Sequence, residues 1–329
     1  MTSQPEPQAE PSQTESLQAH VLPIDPQDLM AEAGRKALLN DFIKTLSHEA
    51  GSRVGEDPEE VHDMRVSVRR MRSTLRLLGA YYKPKSIDPY LSEMRKIAET
   101  LGAVRDLDVM IAELQAYQEK LDETGKADLQ PALDQMDKDR SKARKELIRL
   151  LDKGAYRRFV KDFSAFLTKP GKGALAVDSD DIHPYQVRHL LPELLYQHLA
   201  AVRAYDNAIA DADAVTLHAL RIEFKRLRYA VTIFSDVLGS GINDFISELK
   251  SIQEHLGKIA DIRAAKDRLK TVADELDKDK QAQTVAALQQ YVDHLDEELK
   301  TLKEGFGEVW KHFNTKTVQR QLSNAVANL

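Results

Sequence analysis

Residues 61–82 read VHDMRVSVRRMRSTLRLLGAYY and carry two helical stripes. One stripe is cationic and follows steps of three, four, three and four residues, which places it within about 80° of a helical wheel. We call it the first ridge: His62, Arg65, Arg69, Arg72 and Arg76. The other stripe is apolar: Val61, Met64, Val68, Met71, Leu75 and Leu78. The segment therefore predicts one long helix that packs on a core along one side and presents the first ridge beside that core.

The first ridge contains no acidic residue. A solvated helix face normally mixes both signs of charge, because like charges four residues apart destabilise a helix by a few tenths of a kcal/mol. Residues 61–83 carry six lysines and arginines against Asp63 alone, a net charge of +5 in a chain whose total net charge is −6. This local excess predicts a defined anion site and argues against general coating of polyanions.

The same pattern recurs in residues 217–239, LHALRIEFKRLRYAVTIFSDVLG. The second ridge repeats the first four positions of the first ridge at an offset of 156 residues: His218, Arg221, Lys225 and Arg228. A further match pairs residues 97–114, IAETLGAVRDLDVMIAEL, with residues 252–269, IQEHLGKIADIRAAKDRL, at an offset of 155 residues. Two matches in the same order at nearly one offset indicate a duplicated module.

These periodicities predict an all-α fold of two pseudo-symmetric four-helix bundles with long antiparallel helices. The predicted divisions are a disordered N-terminal tail, a first bundle, a linker and a second bundle, over residues 1–27, 28–168, 169–184 and 185–329. The tail is rich in Pro, Gln, Glu and Ser, and the linker combines Pro and Gly with an acidic run.

Proline positions supply the predicted helix starts. Asp57-Pro58 predicts the N-terminus of the first-ridge helix, which we expect to end near Lys83-Pro84. Asp88-Pro89 predicts the start of a long helix, and Pro131 the start of the next. In each case proline fits the first helical position, where its missing N–H has no intrahelical partner to lose.

Composition excludes several classes of protein and site. The chain has no cysteine, so disulfides and thiolate metal sites are excluded. It has no run of about 18 apolar residues and no apolar secretory segment, so we expect a cytoplasmic protein without a membrane partner. No HxxxH or HxxE pair occurs on either ridge, and we predict neither a metal site nor a cofactor.

The blocks HDMRVSVRRMR at 62–72 and HALRIEFKRLRY at 218–229 are each followed by an LG-containing helix, LGAVRDLD at 101–108 and LGKIADI at 256–262. This arrangement resembles the CHAD family (conserved histidine α-helical domain) from about residue 28 to 315. The resemblance implies two four-helix bundles with a basic surface that binds inorganic polyphosphate and localises to polyphosphate granules. Many members also carry a CYTH domain, whose pattern is missing here, so the chain resembles a stand-alone binding module.

The resemblance also implies which residues bind polyphosphate. The family's basic positions fall on His62, Arg65, Arg69, Arg70 and Arg72, and on His218, Arg221, Lys225, Arg226 and Arg228. To these the sequence adds Arg76 on the first ridge, Arg95 and Lys250 at equivalent repeat positions, Arg105, and Arg144 from a mixed-charge run. The second module departs from the first, with Ala260 and Arg263 where the first has Arg105 and Asp108.

An arginine array suits a linear polyanion, because each guanidinium is a permanent charge with a fixed fork of donors. We therefore expect the two ridges to line one groove. Several alternatives stay open. Arg70 and Arg226 fit equally well as partners of acids on a neighbouring helix, and the histidines as structural residues. Asp106 fits as an acid that orients the arginines.

Three rival functions also stay open. A nucleic-acid scaffold is not expected, because few aromatic residues lie near the ridges and the net charge is negative. A scaffold for a partner protein would leave the ridges incidental. A phosphate-handling enzyme would use His62 or His218, but no nucleophile with a base and an orienting group is recognisable. The sequence favours a non-catalytic polyphosphate-binding protein.

Overall fold

The computed structural model describes residues 13–178, 183–276 and 281–329. Within these ranges the regular structure is helical, without a β-strand, which confirms the predicted all-α class. The α-helices in chain order are α1 (Gln13–Gln18), α2 (Met30–Ser47), α3 (Glu49–Val54), α4 (Pro58–Leu77), α5 (Pro84–Gln118), α6 (Glu123–Asp152), α7 (Gly154–Leu167), α8 (Val187–Arg203), α9 (Ala214–Ile233), α10 (Ile242–Glu275), α11 (Ala282–Phe313) and α12 (Lys316–Val326).

The two ridge helices, α4 and α9, begin at aspartate caps. Asp57 accepts a hydrogen bond from the backbone N–H of Glu59 at 2.8 Å, with Pro58 at the first helical position as predicted. Asp213 does the same for the N–H of Thr216 at 2.8 Å. Each cap satisfies an N–H that the helix itself leaves free. The first-ridge helix ends at Leu77, earlier than the predicted end near Lys83.

Two predicted helix starts are wrong. The long helix α5 begins at Pro84, so Pro89 lies inside it. The helix α6 begins at Glu123, so Pro131 also lies inside. The reason is the same in both cases, because an earlier residue already supplies a start. Pro84 is itself suited to the first position, and Asp122 caps α6 by accepting from the N–H of Gly125 at 2.8 Å.

The apolar stripes of α4 and α9 enter one extended core. Buried side chains from both halves of the chain belong to a single contiguous cluster, in which Phe42 and Phe163 meet edge-to-face and Phe224 meets Phe313 in the same way. A second cluster lies between α5, α6, α10 and α11, around Leu114 and Leu288. Helices α4 and α9 also pack against each other. The division into two bundles stays a prediction, and the halves share their apolar contacts.

The predicted disordered tail is wrong for residues 13 to 27. Helix α1 lies there, and its Leu17 is only 4% exposed. Val21 and Ile24 also pack on the core. These three apolar residues are spaced through a polar sequence, and burying them stabilises the ordered chain. Residues 1–12 of the predicted tail lie outside the described residues.

Candidate anion-binding cleft

The two ridges meet at an open cleft of about 560 Å³. Helices α4 and α9 contribute only basic side chains, and α5 and α10 contribute Arg105 and Arg268 together with the acidic and apolar residues. The lining residues are His62, Arg65, Arg69, Arg105, Asp106, Val109, Met110, Glu113, Arg221, Lys225, Asp261, Ala264, Ala265 and Arg268. We call this space the basic cleft. Part of each ridge therefore lines one space: His62, Arg65 and Arg69 from the first, and Arg221 and Lys225 from the second.

Most of the lining comes in repeat-equivalent pairs. The cleft residues that match across the two repeats are Arg65 with Arg221, Arg69 with Lys225, Asp106 with Asp261, Val109 with Ala264, Met110 with Ala265, and Glu113 with Arg268. The two halves therefore present the same positions to one space. His62 and Arg105 are exceptions, because their equivalents His218 and Ala260 do not line this cleft.

The cations at the centre of the basic cleft are crowded and partly dehydrated. The pKa of Lys225 is lowered to about 8. Burial is the largest cause, and the charges of Arg221 and Arg69 act in the same direction. Burial also lowers the pKa of Arg65, with Arg69 acting in the same direction. A nearby negative charge reverses both effects. The arrangement of these cations is therefore electrostatically suited to an anion.

Three arginines of the ridges have donors that no protein group satisfies. The Nε atoms of Arg69, Arg72 and Arg228 are buried and have no hydrogen-bond partner among the described residues. Buried donors are normally paired, and of the three arginines only Arg69 lines the basic cleft. Burial lowers the pKa of Arg228, whose guanidinium also lies 5.6 Å from the ring centre of Tyr229.

Carboxylates neutralise only part of this charge. Asp106 lies 3.6 Å from the guanidinium of Arg65, and Asp261 lies 4.0 Å from that of Arg221. Both distances exceed a normal hydrogen bond, and both carboxylates are more than half exposed. The two acids occupy equivalent repeat positions beside equivalent arginines, at ion-pair distance but without a hydrogen bond to them.

The two histidines differ in position. His62 is half-buried in the basic cleft and has no hydrogen bond or ion pair among the described residues. Burial lowers its pKa, with the charge of Arg105 next in importance. His218 is exposed and lines a smaller adjoining cleft of about 240 Å³ that shares Arg221 and Ala264 with the basic cleft.

Two other predicted site residues bind acids of the protein. Arg70 lies 3.1 Å from Asp41 of α2, whose carboxylate is nearly buried. Arg226 pairs with Glu223 of its own helix at 2.6 Å. Neither lines the basic cleft. Arg105 does line it, and it also donates to Glu59 at 2.9 Å.

Five further predicted residues lie outside the basic cleft: Arg72, Arg76, Arg95, Arg228 and Lys250. Arg72 and Arg76 continue the first ridge beyond the cleft, beside Arg95, which pairs with Glu99 at 2.7 Å. Lys250 is exposed on α10. The remaining candidate, Arg144, is placed elsewhere by the fold.

Arg144 donates to backbone carbonyls at the end of α3. Its Nη2 lies 3.2 Å from the carbonyl oxygen of Arg53 and 3.1 Å from that of Val54. These carbonyls have no partner within the helix, and a cation there also favours the helix dipole. This position does not support the prediction that Arg144 contacts the ligand, because its guanidinium already donates to backbone carbonyls of the protein.

The sequence analysis missed Arg268, which lies on the wall of the basic cleft. Its repeat-equivalent is Glu113, so the charge reverses between the modules. A comparison that looks for the same charge at equivalent positions of the two repeats does not detect such a residue. The alignment of residues 97–114 with 252–269 nevertheless places both side chains at one register, and that register was the available signal.

Metal and membrane features are absent from the described part of the chain. No group of three or more His, Asp or Glu side chains there is arranged to hold a metal ion. None of the helices described is long and apolar enough to cross a membrane.

Comparison with known proteins places the fold. The crystal structure of the CHAD domain from the plant Ricinus communis aligns with a TM-score of 0.68 and 24% identity, covering 87% of this chain and 94% of that chain. PptA from Streptomyces chartreusis aligns with a TM-score of 0.66 and 16% identity, over 86% and 100% of the two chains. No curated protein matches this chain. The two structures are similar in fold.

The family is shown by the sequence itself. The model of the CHAD domain matches residues 36–270, which is more than half of the chain and includes both ridges and every lining residue of the basic cleft. The chain therefore belongs to the CHAD domain family.

Proposed function

We propose that this protein binds inorganic polyphosphate in the basic cleft, without catalysis, and acts as a targeting or scaffolding module at polyphosphate granules in the cytoplasm. One observation carries the proposal. Two ridges that lie 156 residues apart in the sequence converge on one space, where six lysine and arginine side chains and His62 face three carboxylates. The excess of cations is what a polyanion requires.

Polyphosphate presents only phosphate oxygens to its receptor. It offers no base to read and no apolar group to bury, so recognition depends on donors and charge at close spacing. Ridge residues three or four positions apart place a cation about every 5 Å along a helix. The unpaired Nε atom of Arg69 and the lowered pKa of Lys225 support the same conclusion, because an anion in the basic cleft relieves both.

Catalysis has less support. His62 has no hydrogen-bonded orienting group among the described residues, and no serine or threonine hydroxyl lines the basic cleft. A nucleophile with an adjacent base is therefore missing from its lining. The test is incubation with polyphosphate of defined length. Unchanged length supports binding alone, and shortening would replace the proposal with an enzyme.

Nucleic acid is the second candidate polyanion. The basic cleft has no Tyr, Phe or Trp in its lining, and single-stranded nucleic acids are normally held by stacking on such rings. Competition at physiological salt decides between the two. Duplex DNA or RNA that fails to displace labelled polyphosphate supports the proposal. A third candidate, a partner protein, is tested by pull-downs with and without polyphosphate.

The decisive experiment compares wild type with a variant of four cleft and ridge arginines across a salt series. Arg65, Arg69, Arg221 and Arg228 are replaced together by Ala. We expect tight wild-type binding that weakens steeply with salt, because the polyanion releases counterions. In the variant, both the affinity and the salt slope should fall while helicity by circular dichroism is retained.

A matched control removes the same charge elsewhere. Four exposed basic residues form local pairs outside the basic cleft: Lys126, Lys142, Arg149 and Lys311. Their joint replacement by Ala lowers the net charge equally, and we expect near-wild-type affinity. Equal losses in both variants would show that total charge, and not the basic cleft, governs binding.

A further inference from the structure

A second pocket adjoins the basic cleft. It has a volume of about 290 Å³ and shares Glu113, Asp261 and Ala265 with the basic cleft. Its other lining residues come from α5, α10 and α11: Ala116, Tyr117, Lys120, Lys258, Ile262, Tyr291, His294, Leu295 and Glu298. We call it the aromatic pocket. A ligand that occupies the basic cleft can therefore extend into it without leaving the protein surface.

Aromatic rings distinguish this pocket from the basic cleft. Tyr117 lies with its ring centre 4.5 Å from that of Tyr291 and 5.6 Å from that of His294. The planes of Tyr117 and His294 are inclined by only 29°, and the His294 side is exposed. Such a stack offers a flat surface for another planar group. Nucleobases use such surfaces, whichever base is present.

Carboxylates give the aromatic pocket the opposite chemistry to the basic cleft. Burial raises the pKa of Glu113, and the neighbouring charges of Asp261 and Glu298 raise it further. Glu113 and Glu298 form no hydrogen bond or ion pair with the described residues. The three carboxylates of the lining, Glu113, Asp261 and Glu298, outnumber its two lysines, Lys120 and Lys258, so a phosphate chain is less favoured here than in the basic cleft. A group that donates hydrogen bonds, such as the amino group of a base, is favoured because carboxylates accept only.

We propose that the basic cleft and the aromatic pocket together bind a nucleoside oligophosphate. The phosphates lie among the arginines of the basic cleft, and the base stacks on His294 and Tyr117. An amino group on the base donates to Glu113 or Glu298. This inference rests on the proposed function only in its first half, the binding of phosphates by the basic cleft.

The test compares ligands that share a triphosphate. Dissociation constants are measured by calorimetry for ATP, UTP and inorganic triphosphate with the full chain in metal-free buffer of fixed salt. We expect ATP to bind about fivefold to tenfold more tightly than inorganic triphosphate, because stacking adds to the phosphate contacts. UTP, whose base has no amino group, should lie between the two. Equal affinity for ATP and inorganic triphosphate would overturn the inference.

Variants in the aromatic pocket sharpen the result. His294→Ala should remove most of the advantage of ATP while leaving inorganic triphosphate unchanged. Glu298→Gln should reduce the preference for ATP over UTP. The matched control is His312→Ala, on the same helix but outside the pocket, where His312 pairs with Glu248. Loss of ATP binding in the His312 variant alone would contradict the assignment.

The outcomes separate this inference from the proposed function. If the protein binds long-chain polyphosphate and inorganic triphosphate but shows no preference for ATP, the nucleotide inference is wrong and the proposed function stands. Binding of ATP without long-chain polyphosphate removes the proposed function and keeps the nucleotide site. If neither ligand binds to the folded protein, both are wrong.

Discussion

The first ridge on α4 and the second ridge on α9 border the same cleft but have different surroundings. Helix α3 packs against α4, and Arg70 reaches the nearly buried Asp41 on α2. The start of α9 is more open, with Val215 exposed by 74%, and Arg226 pairs only with Glu223 one turn away. Both helices pack on neighbours, α4 on α2 and α5, and α9 on α8 and α10. The two differ in that Arg70 reaches an acid on another helix, whereas Arg226 pairs within its own.

One pair of equivalent positions that faces the basic cleft is shared in full. Arg65 and Arg221 have kept both the cation and its aspartate, whereas Arg70 pairs with another helix and Arg226 with its own. Elsewhere in the basic cleft the charge has changed, with Glu113 opposite Arg268 in the repeat alignment. Comparing equivalent residues therefore separates a role in the cleft from a role in the fold.

The largest expected effect is on affinity and concerns Arg65 and Arg221. Each Arg→Ala change should weaken long-chain polyphosphate binding by about tenfold, and the double variant by about 100-fold, because each removes a charge-assisted hydrogen bond to the same chain. Calorimetry with chains of increasing length measures this. A short oligophosphate that spans only one ridge should respond to only one of the two changes.

The dependence on chain length is what tests a shared cleft. Equal and additive losses for every chain length would mean two independent sites, and the convergence of the ridges would then have no functional meaning. Circular dichroism of each variant confirms that helicity is intact, which keeps a loss of affinity separate from a loss of fold.

The second effect is on stability and compares Arg70 with Arg226. Arg70→Ala leaves the Asp41 carboxylate nearly buried without its partner, so we expect a loss of about 2 kcal/mol in the free energy of unfolding. Arg226→Ala breaks a pair within one helix whose arginine is more than half exposed, and it should cost less, about 0.5 kcal/mol. Urea unfolding measures both. Equal losses of unfolding free energy in the two variants would contradict the difference between the inter-helix pair of Arg70 and the intra-helix pair of Arg226.

The same pair predicts a pH dependence. Burial raises the pKa of Asp41 to about 6 from its ordinary 3.8, against the opposing charge of Arg70. The folded state therefore binds the proton more tightly than the unfolded state, so this group's contribution is fully present below about pH 4 and is lost as the pH rises through 6. Asp41→Asn should flatten the unfolding free energy between those values relative to wild type.

Much of the site was predictable because it depends on spacing within one helix. The steps of three and four residues define the first ridge, and the offset of 156 residues finds the second. The meeting of the two ridges also follows from duplication. Helix boundaries were less predictable at Pro89 and Pro131, since a proline that fits a helix start does not exclude an earlier start.

What stayed hidden depends on contacts between distant segments. Nothing near Arg144 in the sequence indicates the free carbonyls of α3, about 90 residues earlier. Asp41 likewise gives no local sign that it is buried against Arg70. Arg268 is visible only once the second repeat is placed opposite the first. Side-chain partners of this kind are set by the packing of helices and not by periodicity.

The third effect compares Lys225 with its equivalent, Arg69. With a pKa of about 8 when the cleft is empty, Lys225 loses its proton over a range in which arginine stays charged. A bound polyanion raises that pKa, so binding takes up a proton and affinity should fall about fivefold from pH 7 to pH 9. Lys225→Arg should flatten this profile, and a profile unchanged in the variant would contradict the assignment.

The smallest effect concerns the two histidines. Burial and the charge of Arg105 lower the pKa of His62 in the empty cleft, whereas a bound polyanion raises it. Its contribution to affinity is therefore present at low pH and is lost as the pH rises through the bound-state pKa. His62→Ala should weaken binding about threefold at pH 5.5 and hardly at pH 8. His218→Ala, at an exposed position outside the basic cleft, should change affinity less at either pH. Equal effects of the two substitutions would mean that the ligand leaves the basic cleft and follows both ridges to their ends.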